Sequence, residues 1–281
     1  MKLGIAMFPA DFAIRPDELA RAVEERGFES LFLPEHTHMP ATERTRKEIG
    51  ELPAHFSRTH DLFVALSYAA AATRELLVAT GICLVTQRDP IATAKAVASL
   101  DELSGGRVLF GVGAGWIPEE IENHGTDPAR RWAVLAERVK AMREIWTREE
   151  AEFHGEHVNF NPIFSWPKPR QRPHPPVLVG GGGPNVERRV LDFGDEWMPH
   201  AGMPLAELSA RITALGQAAL HIGRSGTPPV TVFGAEPDAD ALLSLREIGV
   251  TRAVLYAPPS DPDSVRRFLD QAQPLIAKVQ D

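Results

Sequence analysis

The sequence predicts an α/β fold of the TIM, or (β/α)8, barrel class. Three observations carry that expectation. Short apolar runs alternate with amphipathic helical stretches eight times along the chain. The runs are rich in Val, Ile and Leu rather than alternating with polar residues, as in a parallel sheet covered on both faces. The chain has 281 residues, close to the ~250 that eight such units usually occupy. A doubly wound sheet is the runner-up arrangement with the same alternation.

The elements follow in order. Lys2–Ala6 reads as a first strand. Pro16–Arg26 reads as a helix, with Pro16 in its first turn, an apolar side of Leu19, Ala20, Ala22 and Val23, and Gly27 as its stop. Ser30–Pro34 is a second strand. Residues 36–59 lack periodicity, hold Pro40, Gly50 and Pro53, and read as an insertion or lid. Asp61–Ala72 is helical, Leu76–Thr80 a third strand, Pro90–Leu103 a helix, and Arg107–Gly111 a fourth strand. A helix over Ala129–Thr147 leads into a second insertion, residues 148–176. This contains a hairpin at Glu152–Phe160 and a proline-rich connection. Val177–Gly180 is a fifth strand with a helix from Pro184, and Glu196–Met198 a sixth with a helix at Leu205–Leu220. Val230–Gly234 is a seventh with a helix at Ala239–Ile248, and Arg252–Tyr256 an eighth with a final helix at Pro262–Val279. The whole, residues 1–281, reads as one domain.

Composition narrows the function. A net charge of −8 argues against a nucleic-acid binder. Cys83 is the only cysteine, so no intrachain disulfide is possible, and a reducing, cytoplasmic setting is expected. No apolar run reaches the ~20 residues of a membrane helix. The expected partner is a small molecule, with neither nucleic acid nor membrane.

In a barrel of this class, chemistry sits on the loops after the C-terminal strand ends. After the second strand come Glu35, His36 and His38. A histidine there suits proton transfer at neutral pH. Metal ligation needs further ligands, for which only His200 after the sixth strand is an obvious helper, and a loop histidine held by a hydrogen bond is the plain alternative. After the fourth strand, Gly113, Ala114 and Gly115 precede Trp116, which either walls a pocket or packs in the core. This is not a dinucleotide fingerprint, because no third glycine follows in place. After the fifth strand, Gly180, Gly181, Gly182, Gly183 and Pro184 let the backbone approach a ligand and start a helix whose N-terminus suits phosphate. Gly81 interrupts the third strand, a mark of a bulge or close approach, and Cys83 reads as a buried small hydrophobe.

These segments together resemble the bacterial luciferase-like superfamily, especially its branch that uses the deazaflavin coenzyme F420. The matching runs are FLPEH at Phe32–His36, ATGI at Ala79–Ile82, LSGGRV from Leu103, FGVGAGW at Phe110–Trp116 and VGGGGP at Val179–Pro184. The resemblance implies a luciferase-like TIM barrel, usually a homodimer, with an insertion after about the fifth strand. It implies an F420-dependent oxidoreductase that moves a hydride between the deazaflavin and a small organic substrate. Gly81–Ile82 matches a non-proline cis peptide whose bulge, with Cys83, backs the cofactor ring. The Gly113–Gly115 turn lies beside the ring, and Gly180–Pro184 matches the phosphate loop. His36, with Glu35 as its acidic neighbour, matches the catalytic position. Phe12, Met39 and Trp116 would line the substrate side. The same superfamily includes FMN-dependent monooxygenases that use reduced flavin and oxygen, the alternative function. Trp116 stands where sugar-phosphate dehydrogenases of the F420 branch carry a catalytic glutamate. That argues against a sugar-phosphate substrate and motivates a third reading, a non-catalytic ligand-binding barrel. Glu119 and Glu120, one turn later, are not carried over. Arg44, Arg46 and Lys47 are candidates to meet the anionic polyglutamate tail of F420.

Overall fold

The computed structural model of the protein describes residues 1–280. The first half runs β1 (Lys2–Ala6), α1 (Pro16–Glu25), β2 (Ser30–Leu33), α2 (Glu43–Ile49), α3 (Leu62–Ala71), β3 (Leu77–Thr80), β4 (Cys83–Leu84), α4 (Pro90–Leu103), β5 (Val108–Gly113), α5 (Pro118–Asn123) and α6 (Arg131–Thr147). The second runs β6 (Glu150–His154), β7 (Asn159–Phe164), β8 (Val177–Gly180), α7 (Val186–Phe193), β9 (Glu196–Met198), α8 (Leu205–His221), β10 (Thr231–Ala235), α9 (Ala239–Glu247), β11 (Arg252–Tyr256), α10 (Pro262–Ala272) and α11 (Pro274–Gln280).

Eight strands form a parallel barrel in the order β10-β11-β1-β2-β3-β5-β8-β9. Single bridges at Trp197–Val230 and His200–Phe233 bring β9 back to β10. Neighbouring strands share residues across the ring, as Gly4 pairs with both Val254 and Ser30 and Val78 with Val108, and the register shifts between Phe233 and Ala235 of β10. Ala6, Phe32, Ala79, Leu109, Leu178, Met198, Phe233 and Val254, one from each barrel strand, fill the interior as a packed layer. The larger apolar core lies between the barrel and its helices, where Leu19, Ala20 and Val23 of α1 are buried as the sequence pattern requires.

The N-terminal end of the barrel is closed by a buried charge network. Arg252 donates to Glu29 at 2.8 Å through two nitrogens, to Glu196 at 3.1 Å and to the Thr231 hydroxyl at 2.8 Å. Thr231 also donates to Glu196. Arg252, Thr231 and Glu196 start β11, β10 and β9, and Glu29 directly precedes β2 on the far side of β1, so the plug ties the ring together away from the mouth.

Several elements depart from expectation for physical reasons. The first insertion holds α2 and a 3-10 turn, Ala54–Ser57. Only Thr45 of α2 is buried, so it has no apolar stripe to read. α5 was hidden because one of its two buried residues is a carboxylate, Glu120. The final helix is two, since Pro274 has no N–H to continue the first. The helix expected from Pro184 starts at Val186. The β6–β7 hairpin enters before the fifth barrel strand, not after it. Among the described residues no helix is long and apolar enough to cross a membrane.

Candidate active site

A cavity of about 740 Å³ opens at the C-terminal end of the barrel. This lies within the ~300–1,000 Å³ usual for small-molecule sites. Its wall is largely aromatic and aliphatic, with Phe8, Phe56, Trp116, Trp132, Phe233 and Tyr256 prominent, and it contains no lysine or arginine.

The floor follows from the interrupted third strand. β3 ends at Thr80, the Gly81–Ile82 peptide is cis, and β4 resumes at Cys83 beside Val112 of β5. The side chain of Ile82 turns inward between two glycines. A Cβ on Gly113 would stand 1.8 Å from Ile82 Cδ1, and one on Gly180 would stand 3.2 Å from Ile82 Cγ2. Gly113, which lines the cavity, is therefore glycine to admit Ile82. Gly181 and Gly234, also on the wall, have φ of +112° and +79° and nothing within 4 Å of where a Cβ would stand. These two leave open backbone facing the cavity.

Glu35 and His36 follow β2 but have different surroundings. The Glu35 carboxylate accepts from the Leu84 N–H at 2.6 Å and from Arg88 through Nε and Nη2. Both its oxygens are occupied, so the structure casts Glu35 as the clamp on β4 rather than as a free acid or base. His36 Nδ1 lies 3.0 Å from each oxygen of Glu120, which is fully buried. An ionised carboxylate only accepts, so Nδ1 carries the proton. Nε2 has no partner among the described residues, and His36 lines the cavity. Aromatic neighbours hold the ring: Phe8 is stacked at 6.1 Å between centroids, Phe56 lies at 5.1 Å, and Trp116 stands edge-on at 6.4 Å. The backbone is pinned too, as Thr59 donates to the His36 carbonyl at 2.8 Å.

The phosphate-loop candidates are only partly on the wall. Gly180 and Gly181 line the cavity; Gly182, Gly183 and Pro184 continue as exposed chain. Arg211 donates to the carbonyls of Gly182 and Gly183 at 2.6 and 2.9 Å, and the Trp197 indole donates to that of Gly181 at 2.8 Å. The N–H groups of Gly182 and Gly183 have no partner among the described residues.

Of the other candidates, Gly81, Ile82, Gly113, Ala114, Gly115 and Trp116 line the cavity. Cys83 does not; it is fully buried, and burial pushes its thiol pKa up, as befits packing. Phe12 and Met39 are also off the wall. Phe12 is exposed under the guanidinium of Arg58. Residues missed from sequence are Phe8, His55, Phe56, Trp132, Met198, Phe233, Gly234 and Tyr256; His200, singled out only as a possible metal ligand, lines the cavity, and Glu120, which was not carried over, is the partner of His36. Phe8, Met198 and Tyr256 sit within or just past the C-terminal ends of barrel strands, a signal that was readable. His55 and Phe56 come from the insertion and had none. Burial, then the neighbouring His36, lower the pKa of His55 and favour its neutral form.

Residues 15–247 match the family model for the luciferase-like monooxygenase domain. The chain belongs to the luciferase-like monooxygenase family. A Mycobacterium tuberculosis relative, an uncharacterized protein, is 36% identical over 99% of both chains. An F420-dependent glucose-6-phosphate dehydrogenase from Kineococcus radiotolerans is 29% identical over 69% of this chain and 52% of its own. An FMNH2-dependent dimethylsulfone monooxygenase from Pseudomonas putida is 28% identical over 73% and 55%. An F420-dependent secondary alcohol dehydrogenase, solved with an F420-acetone adduct, shares the luciferase-like fold with a TM-score of 0.77 over all of both chains at 21% identity.

Proposed function

We propose that this luciferase-like chain is an F420-dependent oxidoreductase acting on a small, uncharged organic alcohol or carbonyl compound. The observation that carries the reading is His36: an imidazole on an apolar cavity wall, Nδ1 fixed by buried Glu120 and Nε2 unpartnered. A hydride moving to or from an alcohol carbon needs a proton moved at the adjacent oxygen, and Nε2 is placed for that exchange. The residues fit the cofactor: open backbone at Gly181 and Gly234 on the wall and unpartnered N–H groups at Gly182 and Gly183 suit a flat ring ending in a phosphate. F420, when bound, supplies or accepts the hydride. Ile82 backs the ring site. Gly182 and Gly183 offer N–H groups to the phosphate. The Phe8, Phe56 and Trp116 rings exclude water around His36. Glu120 keeps the imidazole in one tautomer and stabilises it when protonated. The lack of cationic wall residues disfavours a sugar phosphate as substrate.

The test is anaerobic turnover of F420, followed by its absorbance, with neutral secondary alcohols, ketones and enones. Turnover with at least one class is expected, and glucose 6-phosphate should be inert. Glu120→Gln, which keeps the shape but loses the charge, should lower kcat about tenfold or more with KM little changed. The alternative, an FMN monooxygenase, is favoured by the FMNH2-dependent relative and by a phosphate loop that serves either cofactor. Oxygen consumption with reduced FMN, and none of the F420 chemistry, would select it.

The proposal includes a cytoplasmic homodimer. α3 has no charged residue, yet Val64 and Tyr68 are 58% and 54% exposed on its outer face. A second copy of the chain covering that face is expected, and sedimentation should give a dimer at micromolar concentration. A monomer alone would remove the proposal.

A further inference from the structure

The cavity wall carries more polar side chains than proton transfer at one oxygen uses. His55 and Tyr256 also line it, and neither side chain has a hydrogen-bond partner among the described residues. Both pack on the ring that holds His36. Phe8 lies 6.1 Å from the His36 ring, 4.8 Å from that of His55 and 6.3 Å from that of Tyr256, centroid to centroid. Phe56 touches both imidazoles, at 5.1 Å from His36 and 4.9 Å from His55. Both extra groups are uncharged near neutral pH: burial, then His36, lower the pKa of His55, and burial raises that of Tyr256. The one carboxylate on the wall, Glu35, is taken by Arg88 and the Leu84 N–H. His200 belongs elsewhere. It stands edge-on to Phe233 at 5.7 Å, and Phe233 reaches Gly81 in the floor.

A ligand that fills the space around Phe8 expels water from His55 and Tyr256. A hydrocarbon face laid there leaves an imidazole and a phenol unpaired, which opposes binding. An oxygen laid there pairs them. We propose that His55 and Tyr256 form a second recognition point, which selects substrates carrying a second uncharged oxygen group (diols, hydroxyketones, diketones) over simple alcohols and ketones. The proposal rests on the oxidoreductase reading, in which His36 serves the reacting oxygen, and names the substrate class of that site. A neutral imidazole has one donor and one acceptor, and a phenol does both, so the pair accommodates a hydroxyl or a carbonyl. With no lysine or arginine on the wall, a carboxylate or phosphate has no counter-charge there.

The experiment uses matched compounds on linear, cyclic and aromatic frames, each with one oxygen group and with two. The proteins are the wild type, His55→Leu, His55→Gln and Tyr256→Phe. Two readouts are taken: F420-linked kcat and KM, and quenching of tryptophan fluorescence when the compounds are titrated into protein without F420. On at least one frame the wild type should favour the two-oxygen compound by about tenfold or more in kcat/KM, through KM, and by a similar factor in binding. The preference should vanish in His55→Leu and shrink in Tyr256→Phe. His55→Gln, which keeps a donor and an acceptor, should retain it, a rescue that lost packing would not give. No preference in the wild type on any frame, or one unchanged in both His55→Leu and Tyr256→Phe, overturns the recognition point; F420 turnover in the same assays leaves the functional reading intact. A binding preference that depends on His55, without F420 turnover of any compound, removes the F420 reading and supports the recognition point.

Discussion

His36→Ala is expected to lower kcat for F420-linked turnover by about 10²–10⁴-fold, the usual contribution of a positioned general acid or base. F420 affinity should change little, because the side chain meets the cavity through Nε2 and the backbone on which it sits is pinned by Thr59. The split between kcat and binding separates proton transfer from loss of shape. His36→Asn, which keeps a polar group of similar size, should be nearly as slow. Full activity in His36→Ala would end the proton-transfer assignment. The effect should exceed that of Glu120→Gln, since Glu120 positions His36 and does not itself line the cavity.

Arg252→Met is expected to destabilise the fold by about 3–5 kcal/mol, the cost of leaving buried carboxylates without their counter-charge. Arg252 and Glu196 are both buried at the closed end of the barrel, and Arg252 bridges Glu196 to Glu29. The unfolding midpoint in denaturant measures this. The deficit should also depend on pH. Burial raises the pKa of Glu196 even with Arg252 present. Without Arg252 the folded state takes up its proton more readily still, so the variant regains stability as pH falls. Glu29 works in the same direction. Burial opposes its ionisation, but Arg252 more than offsets that and holds its pKa below the ordinary value. The wild type therefore has a contribution present above the unfolded pKa that it loses in acid. The gap between variant and wild type should narrow as pH falls, through Glu196 above the ordinary carboxylate pKa of about 4.5 and through Glu29 only below it. A gap independent of pH would show that packing, not charge, dominates the site.

The barrel was legible because its strands are short, apolar and bounded by helices with clear stripes; β1, α4, β8, β9 and β11 fall at the bounds read from sequence. The site was legible where chemistry clusters in sequence, as at Glu35–His36, Gly81–Ile82 and Gly180–Gly181. It was illegible where the fold assembles it from a distance. Glu120 and His36 are 84 residues apart, and nothing local marks Glu120 as the partner. The resemblance implied Glu35 as the acidic neighbour of a catalytic His36, yet Arg88 and the Leu84 N–H take its carboxylate. Gly113 read as a ligand contact, and the space it leaves is filled by Ile82. His55 and Phe56 belong to an insertion whose polar α2 gave no periodic signal, so their place on the wall depended on tertiary structure alone.

The central claim, that the barrel mouth is built for F420, is tested most directly by equilibrium binding of F420 and of FMN to the same protein. Trp116 and Trp132 both line the cavity, so tryptophan fluorescence reports occupancy by either ligand. The account predicts a Kd for F420 on the order of micromolar or tighter, and FMN weaker by about tenfold or more. The reverse preference would contradict it and assign the site to flavin and oxygen chemistry.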